Sequence, residues 1–290
     1  EAPVPIFPPT MPFGAETLGV WVGVDLAYSR GGTQPIVAIN SSRTSDGNLF
    51  NFAGSRIFVW SPTLGLKTAV AWDSLMYPSS MVTQSNHLAL GWPAIAYSGN
   101  SIVIAYQGFL NDDATNDTLS NGRKFGEIFI VQSTDGGNTW TLPVNVTNTP
   151  QLDERYPSIS TWNPPGYAYL TWQEDTRAGS AAFTDLSPIS LAKLVFYKAN
   201  LNTIFPANDL SAVGVTAPSP GKAVSEGTAF SPRAVFRNIG LATQTSIPVR
   251  FEILNAAQDI VYTNTQSIAS LNSTATTEVT FSEVPGTLLT

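Results

Sequence analysis

The 290-residue chain has no cysteine and a single histidine, His87. The first absence excludes disulfides, thiol catalysis and cysteine-based zinc sites, and the second excludes a histidine-rich metal centre. Charge is scarce as well: Asp, Glu, Lys and Arg make up 12% of the residues, about half of a typical globular share. The 14 basic residues are scattered and the net charge is -7, so no basic cluster is present to neutralise a nucleic-acid backbone. No apolar run approaches the roughly 20 residues that span a bilayer, and no convincing long helical periodicity appears.

What is present is 43% hydrophobic residues, 11% of the chain being aromatic, enough to bury real cores. The apolar stretches are short, rich in Val, Ile, Tyr, Phe and Thr, and closed by Gly, Pro, Asn or Asp, which is the pattern of strands and turns. The chain opens on Glu1 without a methionine, as after removal of a signal peptide or cutting from a longer precursor, and an exported protein, secreted or at the cell surface, is expected.

Internal repetition organises the first two thirds. Pro35 to Ile39, Trp92 to Ala96 and Tyr156 to Ser160 read as three versions of one strand. Each is followed by a companion, at Ile57 to Trp60, Ile128 to Val131 and Leu194 to Tyr197, with partner strands at Ser101 to Tyr106 and Tyr167 to Trp172. About four strands per repeat predict sheets that cannot cover their own faces and therefore stack as propeller blades. Three blades fall short of the usual four to eight, so either residues 1–30, with the strand Leu18 to Asp25, add sheet, or other chains complete the ring. Tryptophans stop before residue 205. Five or six strands in residues 206–290, among them Ile247 to Leu254 with its alternating Val249, Phe251 and Ile253, predict an immunoglobulin-like β-sandwich. The expected organisation is thus an extended segment and first strand (1–30), propeller-type repeats (31–205) and a sandwich (206–290) without its last strands.

Ser133-Thr134-Asp135-Gly136-Gly137-Asn138-Thr139-Trp140 reads as a hairpin turn: Asp135 accepts N–H groups of the loop, Gly137 takes positive φ and Trp140 anchors the turn from below. This run fits SxDxGxxW and resembles the Asp box of the sialidase and BNR-repeat β-propellers. The likeness covers about residues 30 to 205, and the turn at Ser61 to Gly65 is a degenerate copy without the Asp and Trp. The resemblance implies that Ser133, Asp135, Gly137 and Trp140 are structural. A sialidase also needs an arginine cluster, a Tyr and Glu pair and an acid in one pocket. Arg30, Arg43, Arg56, Arg123, Arg155 and Arg177 do not align to such a cluster, and the family's N-terminal Arg-Ile-Pro type motif is absent. Residues 209–251, with the Asn238-Ile239-Gly240 turn, resemble the CARDB-type modules of bacterial surface proteins, again stopping before the closing strand.

Asp175 and Arg177, two apart at a strand end, are expected to pair with each other or with nearby backbone, or to contact a ligand. Asp112, Asp113 and Asp117 gather oxygens of the kind calcium takes, but without EF-hand spacing, so an acidic solvated loop is the alternative. His87 sits in no activating motif. The sequons at Asn40, Asn116, Asn145 and Asn272 matter only on a eukaryotic secretory route. The tryptophans favour core packing through their recurrence at repeat positions, with a sugar-stacking platform as the alternative. The reading is a non-enzymatic exported surface or filament protein without cofactor, acting by adhesive contact and self-association, or with another chain completing its propeller and sandwich. A glycan-binding propeller is the first alternative and a sialidase-like hydrolase the second.

Overall fold

The computed structural model describes residues 3, 5–7, 11–13, 16–29, 31–45, 48–73, 76–78, 88–179, 189–225 and 227–288. His87 lies outside them. The chain forms two compact units, Glu1–Ile204 and Phe205–Thr290, and both are built from strands.

In the first unit, antiparallel sheets follow one another along the chain. β1 (Met11–Phe13), β2 (Glu16–Tyr28), β3 (Pro35–Ser45), β4 (Asn48–Ser61) and β5 (Gly65–Ala71) form the first, in sequential order. The second is a meander of β6 (Leu90–Ser98), β7 (Ser101–Gly108), β10 (Glu127–Ser133) and β11 (Val144–Asn145). A small ribbon, β8 (Asn116–Asp117) with β9 (Arg123–Lys124), sits in the β7–β10 connection. The third sheet holds β12 (Asp153–Ile159), β13 (Tyr167–Asp175) and β14 (Lys193–Asn200). These are propeller-like blades, with five, four and three strands.

The strand pattern explains the stacking. Ile36, Ala38, Ile57 and Val59 of the first sheet share one buried cluster with Ile95, Ile102, Ile104, Tyr106 and Phe129 of the second. Side chains of successive sheets face each other, as the period-2 alternation requires. Polar groups tie the same junction. The Asn40 amide donates to the Leu90 carbonyl at 2.8 Å, the Leu90 N–H donates to Ser55 Oγ at 3.1 Å, and the Ile95 N–H donates to Asp25 Oδ2 at 2.8 Å.

The sequence aligns the strand at Pro35 with those at Pro93 and Pro157, and the topology corrects this. Pro35 opens β3, the third strand of its sheet and the one after β2, whereas Pro93 and Pro157 lie inside β6 and β12, which open theirs. The true counterpart is β2. Registers shift at Val20/Val24 in β2, at Gly91/Ala94 in β6 and at Arg155/Ser158 in β12. Each shift carries one residue of positive φ: Gly23 (111°), Trp92 (52°) and Tyr156 (54°). The bulges meet in space. A side chain on Gly23 would come within 2.9 Å of Pro93 Cδ, and the Trp92 and Tyr156 rings pack edge to face at 5.1 Å. A bulge frees the ladder N–H that proline cannot supply, which is why proline recurs inside these strands and is unnecessary where glycine does the same work.

In the second unit, β15 (Leu210–Ala217), β16 (Arg233–Asn238) and β19 (Thr276–Thr280) form one sheet, and β17 (Gln244–Leu254) with β18 (Ile260–Leu271) the other. Ala234, Ile247, Val249, Ile268, Leu271 and Phe281 make the core between them, with Phe251 packed against it. This is a sandwich. Its Asn238 is fully buried: its amide nitrogen donates to the Ala242 and Leu271 carbonyls, both at 2.8 Å, and its side-chain oxygen accepts from Gly240 N at 3.0 Å.

Candidate functional site

The turn at 133–140 is a closed hydrogen-bond unit. Ser133 Oγ donates to Asp135 Oδ1 at 2.8 Å and accepts from Gly137 N at 2.8 Å. Asp135 also accepts from the Thr139 N–H and hydroxyl, at 2.9 and 2.6 Å. Burial opposes ionisation of Asp135, but the hydrogen bonds from Thr139 and Ser133 outweigh it and hold its pKa below the ordinary value. Trp140 donates its indole N–H to the Gly137 carbonyl and packs against the main core. At 95° in φ Gly137 holds a backbone conformation that other residues rarely adopt, and a Cβ there would press on Leu64 Cδ2 at 2.9 Å. The degenerate turn keeps one element of this: Leu64 N donates to Ser61 Oγ at 3.1 Å. All these groups are spent on the turn itself.

Asp175 and Arg177 do not form an ion pair with each other. Asp175 Oδ1 accepts from the Arg177 backbone N–H at 3.0 Å, while the guanidinium reaches Asp117 Oδ1 at 3.4 Å. Asp117 also accepts from Leu119 N, Ser120 Oγ and Ala178 N, so it fastens the β7–β10 connection to the end of β13. Burial raises its pKa and these bonds lower it, with a net lowering. Asp112 accepts from Ala114 N, and Asp113 from the Asn116 amide. The cation held by this oxygen-rich loop is the chain's own: Lys124 Nζ donates to the Asp112 carbonyl (2.8 Å), Asn116 Oδ1 (2.9 Å) and Thr115 Oγ1 (3.2 Å). Burial lowers the Lys124 pKa, and Asp113 and Asp112 offset part of that. Among the described residues no three acidic or histidine side chains gather to hold a metal ion.

A second polar cluster, missed in the sequence, lies where the second and third sheets meet. Glu127 and Glu154 are fully buried and are bridged by Thr149, whose N–H donates to Glu127 Oε2 at 3.1 Å and whose hydroxyl donates to Glu154 Oε1. Asp153 beside them accepts from Gly126 N at 2.7 Å and pairs with Arg155. Burial, reinforced by Glu127, Glu174 and Asp153 and opposed by the Thr149 bond, pushes Glu154 up to about 8. Both amide atoms of Gln107, with Glu127 Oε1 and Glu154 Oε2, make no hydrogen bond. Glu127, Asp153, Glu154 and Arg155 are all buried at this junction.

An open aromatic groove lies between two hairpins. The β6–β7 turn is tight: Ser98 pairs with Ser101, and Gly99 takes φ of 60°. The β12–β13 connection, residues 160–166, is held against it by Asn163, whose amide donates to the Tyr97 carbonyl at 3.1 Å and the Ser160 carbonyl at 2.7 Å. Asn163 Oδ1 accepts from Tyr169 N at 2.9 Å, and Ser98 Oγ donates to the Pro164 carbonyl at 3.0 Å. These bonds preform a cavity of about 730 Å³ walled by Tyr97, Trp162 and Tyr169 with Pro164 and Pro165. Trp172 is 5% exposed, and Trp60, Trp72 and Trp140 pack against cores. Trp162 is 58% exposed. A tryptophan among Thr161, Asn163, Pro164, Pro165 and Gly166 sits in a turn, and that setting, unlike the strand setting of Trp60 or Trp172, is the signal that separates it from the core tryptophans.

No protein-family model matches this chain, and no curated protein matches it. Among solved structures it is similar to an N-acetylgalactosamine deacetylase from F. plautii in complex with blood group B trisaccharide, at 10% identity and a TM-score of 0.34, over 92% of this chain and 73% of that one. It is also similar to the GH43 protein BlXynB from Bacillus licheniformis, at 13% identity and a TM-score of 0.33, over 78% of this chain and only 39% of that one. A third is an apocarotenoid oxygenase from Synechocystis, at 12% identity, a TM-score of 0.29, and 91% and 66% coverage. Likenesses this distant transfer neither a fold nor an activity. Among the described residues no helix is long and apolar enough to cross a membrane.

Proposed function

We propose that this chain is a non-catalytic, glycan-binding module of an exported protein, with its sugar site in the groove between the β6–β7 and β12–β13 hairpins. The observation that carries the reading is the exposed Trp162 facing a preformed, aromatic-walled cavity of about 730 Å³, within the range of small-ligand sites. Pyranose rings present C–H faces that stack on indole and phenol rings, and here the exposed indole shares one cavity with two tyrosines. The described groove-lining residues include no carboxylate. That favours binding over hydrolysis, since glycoside cleavage needs two acids flanking the bond. The Asp-box-like turn then serves as a scaffold. A glycan array tests the reading: saturable binding to a defined sugar, lost in Trp162→Ala, is expected, and no sugar retained above background by the folded wild-type chain overturns it.

A second contact is favoured by a different face. Val24, Leu26 and Tyr28 of β2 are 59%, 49% and 44% exposed, on the first sheet and not on the second and third that wall the groove. We propose self-association through this row, which mass photometry tests: dimers that become monomers in Leu26→Glu are expected, and a wild-type monomer at micromolar concentration contradicts it.

A further inference from the structure

We propose that the groove binds an acidic glycan, one carrying uronic acid residues, with Lys198 receiving the carboxylate. This rests on the glycan reading above and adds the charge of the ligand.

The alternation of β13 and β14 puts Tyr167, Tyr169 and Thr171 on one face of the third sheet, with Phe196 paired to Thr171 and Lys198 paired to Tyr169. Tyr169 is also a wall of the groove. The aromatic surface therefore continues from Trp162 over Tyr169 to Phe196, whose ring centroid lies 6.0 Å from that of Tyr169. Lys198 Nζ stands 4.5 Å from the Tyr167 ring centroid and 6.0 Å from that of Tyr169. The Tyr167 ring face supports the ammonium beside Tyr169, the groove residue next to it, and leaves N–H donors for an anion. Lys198 is exposed, and among the described residues it makes no ion pair. The neighbouring Lys193 is neutralised by Glu174 at 2.6 Å, on the other face of the sheet.

An uncompensated cation next to the groove, on a protein of net charge -7, is local charge complementarity against a repulsive background. In a uronic acid the carboxylate projects from the edge of the pyranose ring. One sugar residue thus stacks its face on Tyr169 and extends its carboxylate to Lys198 at the same time.

Calorimetric titration with tetragalacturonate and with neutral cellotetraose tests this on the full chain. The acidic oligomer is expected to bind about tenfold tighter, the worth of one charge-assisted hydrogen bond. The preference should vanish in Lys198→Gln and shrink in high salt, with the circular dichroism of the variant unchanged. Equal binding of both oligomers, unaffected by Lys198→Gln but abolished by Trp162→Ala, overturns the acid specificity and leaves glycan binding standing. Binding of neither oligomer overturns the acid specificity, and glycan binding falls with it when the folded chain also retains no sugar on the array.

Discussion

At the residue scale, the most consequential side chains are polar groups in the interior. Glu154 is held near 8 against an ordinary 4.5, so the folded chain keeps a proton that the unfolded chain releases. Stability from this group therefore falls as pH rises from about 4.5 to about 8 and levels off above. Glu154→Gln is expected to raise the melting temperature at pH 8, by about 2–4 °C for each kcal/mol recovered, and to change little near pH 4. Scanning calorimetry at the two pH values checks it, and equal shifts at both would refute the buried-acid account. Asn238 works the other way, because its three hydrogen bonds are satisfied. Asn238→Leu should cost about 2–4 kcal/mol by leaving backbone groups without partners, read as a lower urea midpoint. The sequence marks Asn238 only as part of the Asn238-Ile239-Gly240 turn and gives no sign of its burial. Glu127 opens the apolar strand Glu127–Ser133 and Glu154 lies in the charged run Asp153-Glu154-Arg155, and only the meeting of two sheets makes them neighbours.

At the scale of elements, the repeated device is one bulged strand in each of the three large sheets of the first unit: β2, β6 and β12. Gly23, Trp92 and Tyr156 hold left-handed backbone at matching places, and an aromatic residue in that region costs roughly 1–3 kcal/mol. Gly23→Val should destabilise by a similar amount, since its side chain meets Pro93 Cδ as well as the strained φ. Denaturant unfolding checks this, and a neutral result would mean that the β2 bulge does not pack against β6. The prolines made the repeat visible in the sequence, but they also misplaced its first copy, because a glycine bulge carries no such mark. The turn at Ser133 to Trp140 was legible in full, since every partner in it lies within eight residues. The oxygen-rich loop at 111–117 was half legible: its acceptors are there, but the cation they hold, Lys124, comes from the far side of the loop.

At the scale of the whole molecule, strands, their turns and the change of character near residue 206 are written in local patterns, and each is a short-range property. The groove is not, because it joins Tyr97 and Gly99 of one hairpin to Trp162 and Tyr169 of another, and no spacing rule connects them. The central claim is that an exposed indole there receives a sugar. The most direct measurement follows the tryptophan indole N–H resonances during titration with a glycan retained on the array, assigned by Trp→Phe variants. The account predicts that the Trp162 signal shifts with saturation while buried Trp172 stays in place; a Trp162 signal that does not move as the glycan binds would contradict it.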